Sequence, residues 1–438
     1  MESVKLGLMG CGTVGTGVAR LLINGQPLLQ RRAGVPLELK YVADLDMDTE
    51  RDVTIPPGVF IKDAWQIVND PQIDIVIELI GGQTLAKDLV MAAIENGKHV
   101  VTANKALLAS HGNQLFAAAA DKGVDMAYEA AVCSCIPIIK ALRESLVANE
   151  ISAMCGILNG TSNYILSQIT EQRIPFAEAL SQAQTNGYAE ADPTLDIGGF
   201  DAAHKLAILT ALAYGMRINY DDIFVEGIEA ITPLDIQYAG QFGYCIKLLA
   251  ISKQRGDKVE ARVHPTMIPL DHILSSVSGS LNAIMVSGDA TGDLFLSGFG
   301  AGMMPTASAV VSDVVDLARN IRFNAIGRVP LLTCQWDQIQ TIAIRPMAQF
   351  ETQYYFRFPV LDRPGVLGTI AGILGYHGIS IKSVQQKGRK TDGTVPIFML
   401  THMARETDVQ KAMQEISALD IVGTPPVLIR MEADAAAA

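Results

Sequence analysis

The segment running from Gly187 to Lys205, GYAEADPTLDIGGFDAAHK, carries Glu190, Asp192, Asp196 and Asp201 ahead of a single lysine. Acids grouped around one Lys can hold a polar substrate and keep the ammonium charged for proton donation. A solvated acidic loop and a metal loop are the plainer readings. A calcium loop of the helix–loop–helix kind needs glycine at its sixth position; counting from Asp192 that position is Ile197, and Pro193 fits such a loop badly. Asp201 and Lys205 stand four apart, so on a helix they share a face. As an ordinary surface pair they would contribute only ~0.3–0.5 kcal/mol. The whole segment, rather than that pair, points to catalysis. His204 and His111 are further acid–base candidates, but His204 adjoins Lys205 and points elsewhere on a helix, which favours a structural role.

A second chemical signal stands at the start of the chain. The apolar run VKLGLM (residues 4–9) leads directly into GCGTVGTGVARLLI, giving strand, glycine turn and amphipathic helix in the order a dinucleotide-binding unit requires. Gly10 permits the tight turn, Gly12 lets the backbone approach a pyrophosphate, and Gly15 allows close helix–strand packing, with Thr13 and Val14 between them. The helix N-terminus then offers free N–H groups to phosphate. Asp44 ends the second strand, where an acid can hydrogen-bond a free ribose 2′-OH and repel a 2′-phosphate. Lys40 and Arg51 are near in sequence, but neither is expected at the strand tip, so NAD(H) should be used well and NADP(H) tolerated. Lys105 follows HVVTAN at the C-terminal end of the sheet, where open α/β folds bind ligands. In solvent, the helix dipole would disfavour a lysine there.

The elements that position these residues follow from pattern. Strands are expected at 37–44, 73–82, 98–104 and 124–130, separated by helices such as 85–96 and 105–120, which implies a mostly parallel sheet covered on both faces. Residues 24–36 read as a loop insertion. The fold class is thus α/β, opening with a Rossmann-type dinucleotide-binding domain at 1–130. From 131 the pattern changes to an α+β substrate and dimerisation domain (131–325), whose last helix is expected to return to the nucleotide fold. A linker at 326–349 follows. Residues 350–432 read β-α-β-β-α-β, a ferredoxin-like layout, and the alanine-rich tail is expected to be disordered.

Composition narrows the class. With 438 residues, 49% hydrophobic and 18% charged, the chain can build several large cores. A net charge of −12 and the absence of basic tracts argue against nucleic acid. Neither a secretory signal nor an apolar run of membrane-spanning length is evident. Six cysteines are scattered without a C-x-x-C pair, as expected of buried thiols in a reducing cytoplasm; Cys133 and Cys135 lack the partners of a metal site.

GCGTVG, TANKALLA, GILNGTSNYIL and the 187–205 run resemble homoserine dehydrogenases, and GFGAGMMPTASAVVSD makes a fifth such segment. DRPGVLGTIAGILGYHGISI resembles the signature of an ACT domain, a small module that commonly binds amino acids. Together they cover essentially the whole chain. The resemblance implies NAD(P)-dependent interconversion of L-aspartate 4-semialdehyde and L-homoserine, a step towards threonine and methionine. It implies Lys205 as proton donor and Lys105 as a second catalytic residue between substrate and cofactor. Glu190 and Asp201 become substrate-binding carboxylates, Asp196 a supporting acid and Asp192 a structural one. Cofactor contacts are implied for Gly10, Gly12, Thr13, Val14, Gly15, Asp44, Lys105, Gly187 and Gly302.

The resemblance also implies a monovalent cation, commonly sodium, at Glu129, Val132, Ser134 and Ile136, mostly through backbone oxygens. Here Cys133-Ser134-Cys135 replaces small glycine-type residues, which brings glycine-permitted backbone angles into question. In the ACT-like module, Ser380 stands where amino-acid-binding relatives often carry Asn. Threonine is the expected effector and a homo-oligomer the expected assembly; the other reading is a module that only pairs subunits. For the chain as a whole, the alternatives are another semialdehyde or amino-acid dehydrogenase on the same fold, and a non-catalytic sensor of NAD and an amino acid. A sensor needs no proton donor, so Lys205, Lys105 and the acids argue against it.

Overall fold

A computed structural model describes residues 3–386 and 393–432; the alanine-rich tail lies outside them. Two compact units account for the fold, and each gathers several stretches of chain. The first comprises Met1–Ser152, His204–Asp221 and Ile284–Ile342, the second Ala153–Ala203, Asp222–Ala283 and Ala343–Ala438.

In the first unit, strands β1 (Val4–Met9), β2 (Leu37–Ala43), β3 (Phe60–Ile61), β4 (Ile75–Glu78), β5 (His99–Thr102) and β6 (Met126–Ala127) form a parallel sheet in the order β3-β2-β1-β4-β5-β6. This is the doubly wound order, whose direction reverses between β1 and β4, and ligands bind at the strand ends beside that reversal. Its strands are short apolar runs because helices cover both faces. Helices α1 (Thr13–Asn24), α2 (Gln26–Ala33), α3 (Ala64–Asn69), α4 (Thr84–Glu95) and α5 (Lys105–Lys122) make the connections. The loop expected at 24–36 is corrected by α2. Pro27 is tolerated in the first helical turn, the Leu-Leu-Gln-Arg-Arg-Ala run favours helix, and Gly34 closes it in the left-handed conformation at φ 74°. Proline and two glycines suggested a loop, but here they mark the ends of a helix. The helix Met303–Phe323 does return to the nucleotide fold: its Ala307, Val310, Val311 and Val314 share a core with Val18, Leu22, Leu6 and Leu37.

The remaining strands are β7 (Ile151–Ile157), β8 (Phe224–Val225), β9 (Tyr244–Arg255), β10 (Lys258–Pro269), β11 (Leu281–Gly288), β12 (Gly292–Phe299), β13 (Glu351–Leu361), β14 (Ile381–Gln386), β15 (Thr394–Thr401), β16 (Ala404–Arg405) and β17 (Val427–Met431). Within the second unit a sheet runs β7-β9-β10-β17-β13-β15-β14. β9 is a strand the sequence reading leaves unassigned. It forms a long hairpin with β10 across Gly256-Asp257, with Gly256 at φ +62°, and that turn pair between two apolar runs was the available signal.

The C-terminal module has the expected order: β13, helix Val366–Tyr376, β14, β15, helix Glu406–Ser417, β17. Phe356, Phe358, Ile370, Leu374, Ile397, Val409 and Ile416 fill its core. β17 lies between β13, to which it is antiparallel, and β10, to which it is parallel, so the module shares one sheet with its neighbour. Buried ion pairs reinforce that join: Lys253 and Arg262 lie 2.7 and 2.8 Å from the Glu432 carboxylate. Residues 326–349 hold short 3-10 turns at Trp336–Gln338 and Met347–Gln349, and isolated β-bridges at Gln340 and Ile344. Among the described residues, no helix is long and apolar enough to cross a membrane.

Candidate active site

The glycine turn after β1 has the shape a dinucleotide needs. Gly10 adopts φ +93°, and a Cβ there would come within 2.5 Å of the Leu79 carbonyl oxygen. A Cβ on Gly15 would lie 2.1 Å from the Gly10 oxygen, whereas one on Gly12 would meet nothing within 4 Å. The turn is therefore closed on the protein side and open at Gly12. No side chain caps α1, which leaves its first N–H groups for a phosphate.

Asp44 stands just beyond β2, and its carboxylate accepts from Cys11 N (2.5 Å) and Asp46 N (2.9 Å). Arg51 corrects the sequence expectation. Its Nε donates to the Cys11 oxygen at 2.9 Å and Nη2 lies 3.9 Å from Asp44, while the guanidinium stacks 4.8 Å over the Phe60 ring. The loop 44–51 folds back, so a residue seven positions beyond the strand tip reaches it. Lys40 instead pairs with Asp70 at 2.5 Å.

At the end of β4 the sequence reading missed Glu78. It is fully buried, and burial pushes its carboxyl above the usual range. It accepts from Thr102 Oγ1 (2.6 Å), Ile80 N (3.0 Å) and Gly81 N (3.3 Å), and so shapes the Ile80–Gly82 turn at the sheet's C-terminal edge. Thr102 Oγ1 also accepts from Asn104 N, and Asn104 caps α5 through Leu107 N at 3.0 Å. Lys105, half-buried, is thereby fixed as the first residue of that helix. An acid buried in a strand of apolar neighbours was the readable hint.

In the second unit the acids rest on one helix start. Asn159 caps the helix Gly160–Gln172 by accepting from Ser162 N at 2.7 Å, and its amide nitrogen donates to Asp196 Oδ1 (2.7 Å) and Asp201 Oδ2 (2.8 Å). Ser162 Oγ donates to the Asp196 carbonyl (2.8 Å), and Thr161 Oγ1 to the Tyr188 carbonyl (2.6 Å). Tyr164 packs on Tyr188 with ring centroids 4.6 Å apart. The first turn of this helix thus grips residues 188–201. Glu190 is exposed, and its carbonyl accepts from Gln184 Nε2 at 3.2 Å. Asp192 is exposed and held by Thr194, whose hydrogen bonds lower its carboxyl below the usual range. Gly187 takes φ +74° after the helix Phe176–Thr185. Asp201 and Lys205, at 6% exposure each, lie one turn apart on the helix Phe200–Tyr214.

Comparison with known proteins gives the family. A family model described as homoserine dehydrogenase matches residues 137–315, one described as homoserine dehydrogenase, NAD binding domain, matches 10–129, and an ACT domain matches 354–420. A homoserine dehydrogenase of Neisseria gonorrhoeae is 45% identical over 432 residues, and one of Pseudomonas aeruginosa 46% over 433, each alignment covering 99% of both chains. The crystal structure of a homoserine dehydrogenase from Thiobacillus denitrificans superimposes with a TM-score of 0.93 at 46% identity, covering 99% of both chains. The chain belongs to the homoserine dehydrogenase family. It is an oxidoreductase of that family, with a nicotinamide-nucleotide domain and a C-terminal ACT domain.

The remaining family positions lie in the first unit and in the ACT module. The loop after β6 carries Glu129, Val132, Ser134 and Ile136, all buried. Cys133 and Ser134 adopt φ 55° and 44°, the left-handed angles that glycine takes readily. The loop keeps the glycine-type turn although its residues have side chains. Ser134 Oγ bonds to the Gly300 carbonyl and Thr306 Oγ1, each at 3.0 Å. Glu129 accepts from Ile139 N and Lys140 N at 2.9 and 2.8 Å; burial and then the nearby Asp313 push its carboxyl up to about 7. Carbonyls with one carboxylate are hard oxygen donors, a set that fits an alkali cation better than a softer metal. Gly302 caps the helix Met303–Phe323 at φ +118°. In the ACT module Gly365, at φ +91°, precedes the helix Val366–Tyr376, and the Ser380 carbonyl accepts from His402 N at 2.8 Å. His204 stacks on Tyr220 with ring centroids 4.6 Å apart.

Proposed function

We propose that this enzyme interconverts L-aspartate 4-semialdehyde and L-homoserine with NAD(H) or NADP(H), in the cytoplasm and as a homo-oligomer. The observation that carries the reading is Lys205, buried one helical turn after the clamped Asp201 in a chain that matches this family from end to end. When bound, the nicotinamide supplies or accepts the hydride. Lys205 gives its proton to the developing alkoxide in the reducing direction and recovers it in the other. Asp201 and Glu190 hold the substrate ammonium, Asp196 supports them, and Lys105 steadies the negative charge that grows on oxygen. Gly10, Gly12, Thr13, Val14 and Gly15 hold the pyrophosphate, Asp44 the ribose, and Gly187 and Gly302 complete the nucleotide contacts.

Two further parts belong to the proposal. Glu129 with the carbonyls of Val132, Ser134 and Ile136 would hold sodium, whose chemistry there is to stiffen the loop. The ACT module would bind threonine and pair subunits, lowering activity through a coupling of about 1–3 kcal/mol. The test is oxidation of NADPH and NADH by purified enzyme with aspartate semialdehyde, in sodium or choline buffer, with and without threonine. Turnover of the semialdehyde far above that of other aldehydes supports the reading, and no turnover with intact nucleotide binding refutes it. Absence of both threonine inhibition and threonine binding by calorimetry refutes the sensing role alone.

A further inference from the structure

We propose that Asn159 is a positioning residue for the reaction, setting the directions of the Asp196 and Asp201 carboxylates; this rests on the assignment of those acids to the substrate. The amide makes three hydrogen bonds. Oδ1 accepts from Ser162 N at 2.7 Å, and Nδ2 donates to Asp196 Oδ1 at 2.7 Å and to Asp201 Oδ2 at 2.8 Å. Its orientation is fixed by chemistry, because a backbone N–H can only donate and therefore must face the amide oxygen. Asn159 itself is 4% exposed, so these bonds form out of bulk water, where they are stronger than on the surface.

Capping the helix does not require this residue type. Ser, Thr, Asp and Asn all serve at an N-cap, since only an acceptor oxygen is used. Of these four, Asn alone adds a nitrogen with two hydrogens, and here each hydrogen goes to a different carboxylate. Two acids drawn to one point repel each other, and in a buried setting that repulsion favours protonating one of them. A donor shared between the two offsets that repulsion and favours the charged form of each. An ionised Asp201 one turn before Lys205 is the form that can hold a substrate ammonium. Ser162 Oγ on the Asp196 carbonyl and Thr161 Oγ1 on the Tyr188 carbonyl hold the same segment by its backbone.

Asn159→Ser keeps the cap and removes both donors, while Asn159→Asp keeps cap and size but adds a third carboxylate. For Asn159→Ser we expect a folded protein with a lowered melting temperature, because two buried bonds are lost, with NADH affinity unchanged, homoserine KM raised about tenfold or more, and kcat reduced, the scale of a displaced binding group. For Asn159→Asp the acid limb of kcat/KM should move about one unit to higher pH, because added negative charge raises neighbouring carboxyl pKa values. In an Asp201→Asn background, Asn159→Ser should add less than about a twofold further loss, because the shared partner is already gone. Carbon-13 NMR titration of labelled aspartates reads the clamp whatever the enzyme turns over, and Asn159→Ser must raise the titration of two of them. Unmoved titrations, or kinetics within twofold of wild type, overturn the proposal. Moved titrations in a protein that does not oxidise homoserine would sink the functional reading and leave the clamp standing.

Discussion

Lys205 is a lysine held at 6% exposure, and a buried ammonium persists only where hydrogen bonds and carboxylates replace the lost water. Asp201 lies on the preceding turn of the same helix, and the proposed role asks Lys205 to carry a proton and release it on demand. Lys205→Ala should fold and bind nucleotide but lose turnover by ~10²-fold or more, the usual scale for a missing general acid; near-normal turnover would remove Lys205 from the mechanism. Two residues beside the glycine turn are expected to bear on cofactor choice. Asp44 places negative charge beside the glycine turn, and Arg51, bonded to the Cys11 carbonyl, places positive charge within 3.9 Å of it. A 2′-phosphate bound at the tip of β2 would meet both. Asp44→Ser should raise the NADP/NAD preference and Arg51→Ala should lower it, each measured as a ratio of kcat/KM values. If neither ratio moves, the tip of β2 does not govern the choice.

Between residues and the whole stand the elements, and one of them joins two tasks. The helix Pro233–Gln241 begins with a capping box in which the Thr232 hydroxyl accepts from Asp235 N and Asp235 accepts from Thr232 N. Asp235, fully buried, also takes hydrogen bonds from Tyr355 Oη (2.9 Å) and Arg357 Nε (2.8 Å) of β13. Asp235→Ala would leave a part-buried guanidinium without this carboxylate as well as uncapping the helix. A loss of about 3–5 kcal/mol is expected, the usual result of breaking a buried pair from one side, and urea denaturation would measure it. Asp235→Leu with Arg357→Met should recover much of that loss; if it recovers none, the buried charge is not the cause.

Elements were legible where their causes are local. VKLGLM-GCGTVG announces strand, turn and helix through six consecutive buried residues and glycines needed at fixed offsets, and the β-α-β-β-α-β order of the last eighty or so residues was readable in the same way. Residues 24–36 were misread because proline and glycine look alike whether they interrupt an element or bound it. Arg51 and Asn159 were invisible as site residues for another reason. Their roles depend on where the chain returns, 40 residues from Cys11 for Arg51 and 42 from Asp201 for Asn159, and no local pattern encodes that. Sequence nominated the acids and the lysine; tertiary structure was needed to show that Asn159 bonds two of those acids.

At the scale of the molecule, the ACT module cannot be lifted away cleanly. Arg430 of β17 pairs with Glu406 (2.5 Å) and Glu226 (2.6 Å), and Glu432 pairs with Lys253 and Arg262 of the neighbouring hairpin. A chain stopped at residue 426 would strand those charges and uncover the edge of β10. We expect it to collect in the insoluble fraction, checked by comparing soluble yields with the full chain. Recovery of a soluble, active truncated enzyme would show that β10 tolerates an open edge.

The place of β17 also orders events during synthesis. β10 ends at Pro269 and its partner begins at Val427, so a ribosome must add roughly 160 residues before that edge is covered, on the order of ten seconds or more at ordinary elongation rates. Through that interval Phe224–Val225 already pairs with Arg262–Val263, but the end of β10 at Thr266 and Met267 stays open, and an open edge is the kind to which a second nascent chain can attach. The join between β10 and β17 is therefore among the last parts of this sheet to form, and a holding chaperone would find its natural target there.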